Sequence, residues 1–515
     1  MAHLTSPSTP APTLPGPAGT PRQDRTGEVL RHGWVVAAAV ALVWGVVAGL
    51  LTPRSPLTTG AALASIVVSL GVGGLAGFVT RSRWAVVAAP LVFAVAFELT
   101  RMPVQGPTVD APHLSTYGVF ALVVGRGLHA LLSLLPLAVG AAGGVLAAVR
   151  RDDRLPAGRG RRVARWTAVA ASGLLVVAVA AVVARPASTD AITDANGDPV
   201  PGSIAELTSV DVNGRELGLM IRGHDTTNPV LLFLAGGPGG SELGAMRNHL
   251  PALEEAFTVV TLDQRGNGTS YPSLDPTDTY TLESAVDDVV ATTDLLRDRF
   301  DQERIVLVGQ SWGTLLGVLA AHREPALYSA FVGTGQMVSP LETDRIFYAD
   351  TLAWARDAGM TGLASELEEI GPPPYSSMLD YETALSHEYE VYPYDHTGNS
   401  EGQGGFSENF LVPEYTLVDQ VHLLGSFMDT FGALYPRIQD VDLRRDAAAL
   451  EVPVFFVQGA HEARGRAEPF AQWYAVLTAP QKELVVLDTS GHRPLFEQPD
   501  EFVEVMTTRV RPVTL

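Results

Sequence analysis

Gly309, Gln310, Ser311, Trp312 and Gly313 set a serine hydroxyl inside a G-x-S-x-G pattern. A serine hydroxyl is hardly ionised at neutral pH. Attack on a carbonyl carbon therefore requires a base within hydrogen-bond reach and a third group that orients the base. The chain offers both further along: Glu462 ends the run Gln458-Gly459-Ala460-His461-Glu462, and His492 closes Asp488-Thr489-Ser490-Gly491-His492. Asp488 is the alternative acid. His461 lies next to the acid position, but His492 follows a strand-like run and a glycine near the end of the chain, which favours it as the base. Such a set performs acyl transfer: Ser311 attacks, His492 carries the proton, Glu462 holds the imidazole, and backbone amides receive the oxyanion.

The elements that must position these groups are legible as alternating runs. Residues 305–308 (IVLV) suit a strand buried on both faces of a parallel sheet, and the apolar stretch 314–321 suits a helix after it. Between them the serine needs a sharp turn, and side chains at Gly309 or Gly313 would strike the neighbouring backbone. Residues 229–234 form a second buried strand, ending in Ala235-Gly236-Gly237-Pro238-Gly239-Gly240, with a helix expected over 241–256. The glycine spacing fits neither the dinucleotide nor the Walker pattern. It suits an oxyanion loop, in which one amide comes from the residue after the nucleophile, Trp312, and the other from this loop. Pro238 has no N–H, so Gly237 is the second donor, with Gly236 behind it.

A third strand, 258–262, runs into Asp263-Gln264-Arg265-Gly266-Asn267-Gly268-Thr269-Ser270. Asp263 and Arg265 are expected to brace the glycine loop as an ion pair, and Gln310 flanks the serine in a supporting position. Residues 209–212 and 216–221 around Asn213-Gly214 read as a hairpin. An amphipathic helix over 285–299, strands at 328–332, 452–457 and 483–487, and a closing helix over 499–510 complete the alternation. From 337 to 440 it stops, and helices mix with connections rich in Gly, Pro and Tyr at 371–375 and 398–405, as expected of a cap over the site.

The succession GGPGG, DQRGNGTS and GQSWG resembles the prolyl aminopeptidase (proline iminopeptidase) family of serine α/β-hydrolases, whose pattern is HGGPG, DQRGxGxS and GxSWG. The resemblance covers about residues 205–512 and departs at Ala235, where a His is usual. It implies an α/β-hydrolase core over 205–336 and 441–515, with a mostly parallel sheet, helices on both faces and an inserted helical cap over 337–440. It also implies Glu462 at the family's acid position and release of an N-terminal residue, often proline, from peptides. Cap carboxylates would hold the free amine, with Glu342, Asp344, Glu382, Glu388 and Glu390 available. The tyrosine-rich segment 375–394 would line the entrance.

Composition adds a second unit. Of the 515 residues 46% are hydrophobic, high for a soluble enzyme. Residues 1–185 carry 16 Arg against 6 acids, whereas 186–515 carry 19 basic residues against 50 acids. An acidic surface repels phosphate, which argues against nucleic acid as a partner. With no cysteine in the chain, thiolate metal sites and a cysteine nucleophile are excluded. No motif calls for a cofactor or a metal.

Residues 1–30 read as a disordered tail. Five apolar runs follow, at 34–51, 61–80, 84–99, 128–149 and 166–184, giving an α-helical membrane region over 31–185 and a linker over 186–204. The third is short and carries Pro90 and Glu98, and 117–126 reads as a re-entrant or interfacial piece. Arg81 and Arg83 follow the second run, and seven arginines from Arg150 to Arg165 separate the fourth from the fifth. The positive-inside rule puts both loops and the N-terminus in the cytoplasm. The protein is then a multi-pass protein of the cell membrane, with its hydrolase domain outside and the lipid bilayer as one partner. A peptide or small acyl substrate is the other. The spans show no paired polar residues, which argues against a transporter, and Arg126 and His129 read as snorkelling residues. Two alternatives stay open: a membrane-tethered esterase with the same triad, and a non-catalytic sensory or binding module.

Overall fold

The computed structural model describes residues 24–151, 159–394 and 407–514. Most of the expected tail, the arginine-bearing stretch 152–158 and the connection expected at 398–405 lie outside the described residues.

In lipid a backbone can satisfy its own polar groups as a helix, and the described part of the N-terminal third of the chain is mostly helical. It comprises α1 (Asp24–Leu51), α2 (Thr59–Thr80), α3 (Ala85–Arg101) and α4 (Thr116–Leu122). α4 continues through π-helical turns at Val123–Gly127 and Ala130–Leu134 into α5 (Leu135–Arg151), and α6 (Arg159–Val183) follows. Among the described residues, four stretches are long and apolar enough to cross a membrane: Arg31–Leu51, Thr59–Thr80, Thr116–Val149 and Val163–Val183.

Three expectations change here. The third run forms α3, which at 17 residues falls short of that set. The segment 117–126 is no separate piece but the start of one 34-residue helix. Its π turns fall ahead of Pro136, the residue that cannot donate to the ladder. Paired polar groups also exist among the helices. Arg101 donates to Glu98 at 2.6 and 3.0 Å, and Arg126 reaches the same carboxylate at 3.3 Å. His129 is buried with Nδ1 3.1 Å from Ser133 Oγ, so it does not snorkel. Hydropathy averages along the chain, while these partners meet across i,i+3 spacings and between helices.

α2 and α5 cross where glycines leave room. A Cβ at Gly73 or Gly77 would lie 2.0 Å from the carbonyl oxygen of Leu137 or Ala141, and one at Gly144 would lie 2.1 Å from that of Gly74. Gly73 and Gly77, like Gly140 and Gly144, form the small-xxx-small spacing that lets apolar helices approach closely.

The second unit is built on an eight-stranded sheet. β1 (Ile204–Val212) and β2 (Arg215–Gly223) are joined by Asn213 and Gly214 at φ 53° and 74°, the left-handed pair that a two-residue hairpin turn demands. Next come β3 (Val230–Leu234), α7 (Leu243–His249), β4 (Thr258–Asp263), α8 (Leu282–Phe300), β5 (Ile305–Gln310), α9 (Trp312–Arg323) and β6 (Tyr328–Thr334). The chain then leaves the sheet for α10 (Pro340–Asp357), α11 (Thr361–Ile370), α12 (Met378–Leu385), α13 (Glu388–Val391), α14 (Leu417–Leu434) and α15 (Leu443–Asp446). It returns through β7 (Val454–Gly459), α16 (Arg464–Val476), β8 (Lys482–Leu487), α17 (Pro494–Glu497) and α18 (Pro499–Val505).

The sheet order is β1-β2-β4-β3-β5-β6-β7-β8, antiparallel at β1-β2 and β2-β4 and parallel thereafter. Period-two alternation divides its side chains between two cores. Leu232, Leu307 and Phe456 pack on one face with α8 and α9, and Phe233, Val308 and Phe455 on the other with α7, α17 and α18. The helix expected over 241–256 ends at His249, because Pro251 has no N–H to continue the ladder, and a 3₁₀ turn follows. The closing helix likewise gives way to a π turn at Met506–Val510.

Candidate active site

The carboxyl ends of parallel strands are where such sheets present ligand sites, and β5, β7 and β8 deliver Ser311, Glu462 and His492 there. Ser311 stands between β5 and α9 at φ 51°, ψ −118°, a backbone conformation that L residues rarely adopt. Close packing around it enforces the turn. A Cβ at Gly309 would lie 2.4 Å from Gly313 O, and one at Gly313 would lie 2.1 Å from Leu234 O. The Ser311 amide donates to Thr334 O at 3.0 Å, tying the turn to β6.

His492 Nε2 lies 2.9 Å from Ser311 Oγ, and its Nδ1 lies 2.7 Å from Glu462 Oε2. The other oxygen of Glu462 accepts from Arg466 Nε at 2.8 Å and from the Ala463 amide at 2.9 Å. Burial by itself pushes the Glu462 pKa up; Arg466 and His492 outweigh it and hold the carboxylate down at about 2. The group facing the imidazole is thus an anion. His492 is held from behind by Glu497, whose carboxylate accepts from the amides of Gly491 at 2.6 Å and Arg493 at 2.9 Å. Asp488 is exposed and takes a bond from Gln498, while His461 stacks on Tyr394; neither joins the set.

The glycine loop runs beside the serine. A Cβ at Gly236 would lie 2.2 Å from Gln310 Oε1 and 3.3 Å from Ser311 Cβ, so a side chain there would have to displace the Gln310 amide beside the serine. Gly237 follows at φ 120°. Trp312 is the first residue of α9, and first-turn amides have no acceptor within their own helix. Gly236, Gly237 and Ser311 line one cavity, with Trp312 next in the chain after the serine. Gln310 Nε2 donates to His492 O at 3.3 Å, linking the nucleophile turn to the histidine loop.

Asp263 and Arg265 do not pair with each other. Asp263 accepts from Thr269 N and Oγ1 at 2.9 and 2.8 Å and from Tyr415 at 3.0 Å. Burial pushes its pKa up to about 7, against the pull of those bonds. Arg265 turns to Asp288 on α8 at 2.9 Å and lies over the Tyr280 ring. Asp263 turns to the Thr269 turn and Tyr415 while Arg265 turns to α8, partners that spacing in the motif does not reveal. The brace is instead Gln264: it donates to Ala235 O at 2.9 Å and accepts from Trp312 Nε1 at 2.9 Å. Asn267 adds a bond to Gly240 O at 2.6 Å.

Over the serine lies a cavity of about 680 Å³. Of the five cap acids, Asp344, Glu382 and Glu388 line it, whereas Glu342 pairs with Arg444 and Glu390 faces His387. Glu388 is neutralised by Arg466. Burial pushes Asp344 up to about 7, opposed by the bond from Tyr435 at 2.7 Å. Tyr381 and Tyr389 line the cavity; Tyr375 packs on Tyr381 at 4.9 Å as cap core.

Sequence reasoning missed Glu242, six residues beyond Gly236. It is buried on the cavity wall, with one oxygen 3.2 Å from Arg493 and Oε2 without a hydrogen-bond partner among the described residues. Burial raises its pKa against the attraction of Arg493. Its place directly after the glycine loop was the signal that could have found it.

Residues 229–499 match the profile of the α/β hydrolase fold family. Over 330 residues the chain is 26% identical to a protein named probable aminopeptidase YbaC from Bacillus subtilis (strain 168), spanning 61% of this chain and 98% of that one. It is 23% identical over 282 residues to a probable proline iminopeptidase of Leptolyngbya boryana, spanning 52% of this chain and 83% of its relative. Among solved structures, the proline iminopeptidase of Mycobacterium smegmatis aligns over 60% of this chain and 99% of its own, at 20% identity and a TM-score of 0.43.

Proposed function

Since the chain belongs to the α/β-hydrolase fold family, we propose that it is a membrane-anchored serine hydrolase, an aminopeptidase that releases N-terminal residues from peptides through an acyl-enzyme. The observation that carries this reading is the relay of 2.9 and 2.7 Å from Ser311 through His492 to Glu462, beside a glycine loop. His492 Nε2 takes the Ser311 proton as Oγ bonds to the scissile carbonyl carbon. The negative charge moves to the carbonyl oxygen, where the Gly237 and Trp312 amides receive it. The tetrahedral species collapses as His492 gives the proton to the departing amine. Water, deprotonated by the same imidazole, then cleaves the ester. Glu462 fixes the ring through Nδ1 and balances its charge.

The peptidase reading is supported by the printed names of the relatives and by acids in the cavity. A free α-amine needs a buried carboxylate, and Glu242 has an unengaged oxygen on the same wall as Ser311. Residues 337–440 form the cap in this reading. An esterase is the second reading, favoured by the apolar walls that Met378, Leu385, Phe427 and Phe431 give the cavity.

The anchor rests on the four apolar helices. The α1-α2 loop, the α3-α4 loop and the end of α6 all meet the hydrolase unit, through Arg54, Thr108 and Ser188. Arg81 and Arg83 follow the opposite end of α2. That arrangement supports a cytoplasmic N-terminus and an extracytoplasmic hydrolase, with α3 as an additional short crossing.

The test is hydrolysis of proline p-nitroanilide beside its N-acetyl twin by the full chain in detergent. Preference for the free amine is expected. Turnover of blocked acyl esters alone would leave only the esterase reading.

A further inference from the structure

Two loops of the membrane unit reach into the cap. In the α1-α2 loop, Arg54 is 1% exposed and holds Asp429 on α14 at 2.5 Å and Asp275 at 2.9 Å. In the α3-α4 loop, Thr108 N donates to the same Asp429 at 3.0 Å. The Tyr117 amide at the start of α4 donates to both oxygens of Glu382 on α12 at 3.2 Å. That carboxylate sits on a helix N-terminus, where partial positive charge favours it. α12 and α14 are also helices that wall the cavity, through Met378, Tyr381, Leu385, Phe427 and Phe431, and Tyr117 lines it beside them and packs on the same apolar cluster.

We propose that the membrane unit is a working part of the substrate pocket. Tyr117 is a specificity-determining residue of its apolar wall, and Glu382 and Asp429 are positioning residues through which the membrane loops set the placing of α12 and α14. The chemistry of that wall takes an apolar body, an aliphatic or aromatic group attached to the acyl carbonyl. Aromatic rings dominate it: Tyr381, Phe431 and Tyr435 lie with centroids 4.1 to 5.7 Å apart. Apolar contact with them stabilises a long acyl group more than a short one. On this account one span would anchor the enzyme, and the further helices serve to shape the site.

The inference rests on the hydrolytic reading of Ser311 and not on the choice between peptide and ester. It is tested on the full chain in detergent with p-nitrophenyl acetate and p-nitrophenyl octanoate. Tyr117→Ala is expected to lower the octanoate-to-acetate ratio of kcat/KM by about tenfold, mostly through KM. Glu382→Gln should shift the ratio in the same direction. Tyr117→Leu, which keeps an apolar side chain at that position, should restore most of it and stands in if the alanine variant does not fold. Stoichiometric labelling of Ser311 by a fluorophosphonate confirms that each variant is folded. An unchanged ratio in labelled Tyr117→Ala, or equal losses on both esters, would overturn the proposal. Wild-type protein that takes no label would instead sink the reading of Ser311, and this inference with it.

Discussion

At the scale of single residues, the relay makes demands that substitution can check. Ser311→Ala should abolish turnover, and Glu462→Gln should lower kcat by about 10³-fold or more, since the ring loses its orienting anion; steady-state rates on a reactive ester measure both. Glu462 also makes a pH prediction. Its pKa is depressed from 4.5 to about 2, so its contribution to stability is full above 4.5 and lost as pH falls toward 2. The melting temperature of Glu462→Gln should therefore fall less steeply than wild type across that window. Asp344 runs the other way. Raised from 3.8 to about 7, it favours the folded state below 3.8, and that contribution is lost as pH rises through 7. Asp344→Asn keeps an acceptor for Tyr435 and should flatten that decline in a thermal scan from pH 4 to 8. That Ser311 and His492 are candidates could be read from the sequence because a strand end and a glycine mark each; that they meet at 2.9 Å could not. Glu242 was not legible, because its use depends on Arg493 arriving from 251 positions away.

At the scale of elements, the site depends on how tightly strand, turn and helix pack. Gly313→Ala would drive a methyl into Leu234 O, so the variant should lose fluorophosphonate labelling even where it is expressed. Arg265 and Asp288 form a buried pair between the DQRG segment and α8. Removing one charge with Arg265→Met or Asp288→Leu should cost about 3 kcal/mol, while Arg265→Met with Asp288→Leu should recover much of it; chemical denaturation of the three variants reads the cycle. Strands were legible from their apolar runs. The end of α7 and the π turns were not, because they answer to prolines and to packing between helices that a local pattern does not record.

At the scale of the whole molecule, the two units are fastened by buried polar groups, with Arg54 and Thr108 of one meeting Asp275 and Asp429 of the other. Arg54→Met would remove the buried charge partner of Asp429, which keeps only its bonds from Thr108 and Tyr271, and the full chain in detergent should unfold at a lower temperature while still labelling at Ser311. The orientation is open to direct test because the chain has no cysteine. Ser82→Cys is expected to resist a membrane-impermeant maleimide in intact cells, and Asp278→Cys to react; the reverse pattern would invert the topology.

Composition and pattern determined the division into a basic apolar third and an acidic remainder, the alternation of strands and helices, and the chain order of the candidate serine, carboxylate and histidine. Each of these is written in local periodicity or in a turn that tolerates only glycine. The tertiary structure alone decided which partners the polar side chains take: Gln264 rather than an Asp263-Arg265 pair as the brace, Glu242 on the cavity wall, and loops between the apolar helices against α12 and α14. Such pairings join residues tens to hundreds of positions apart, and their identity is fixed by where the packed elements bring them, which no spacing along the chain encodes.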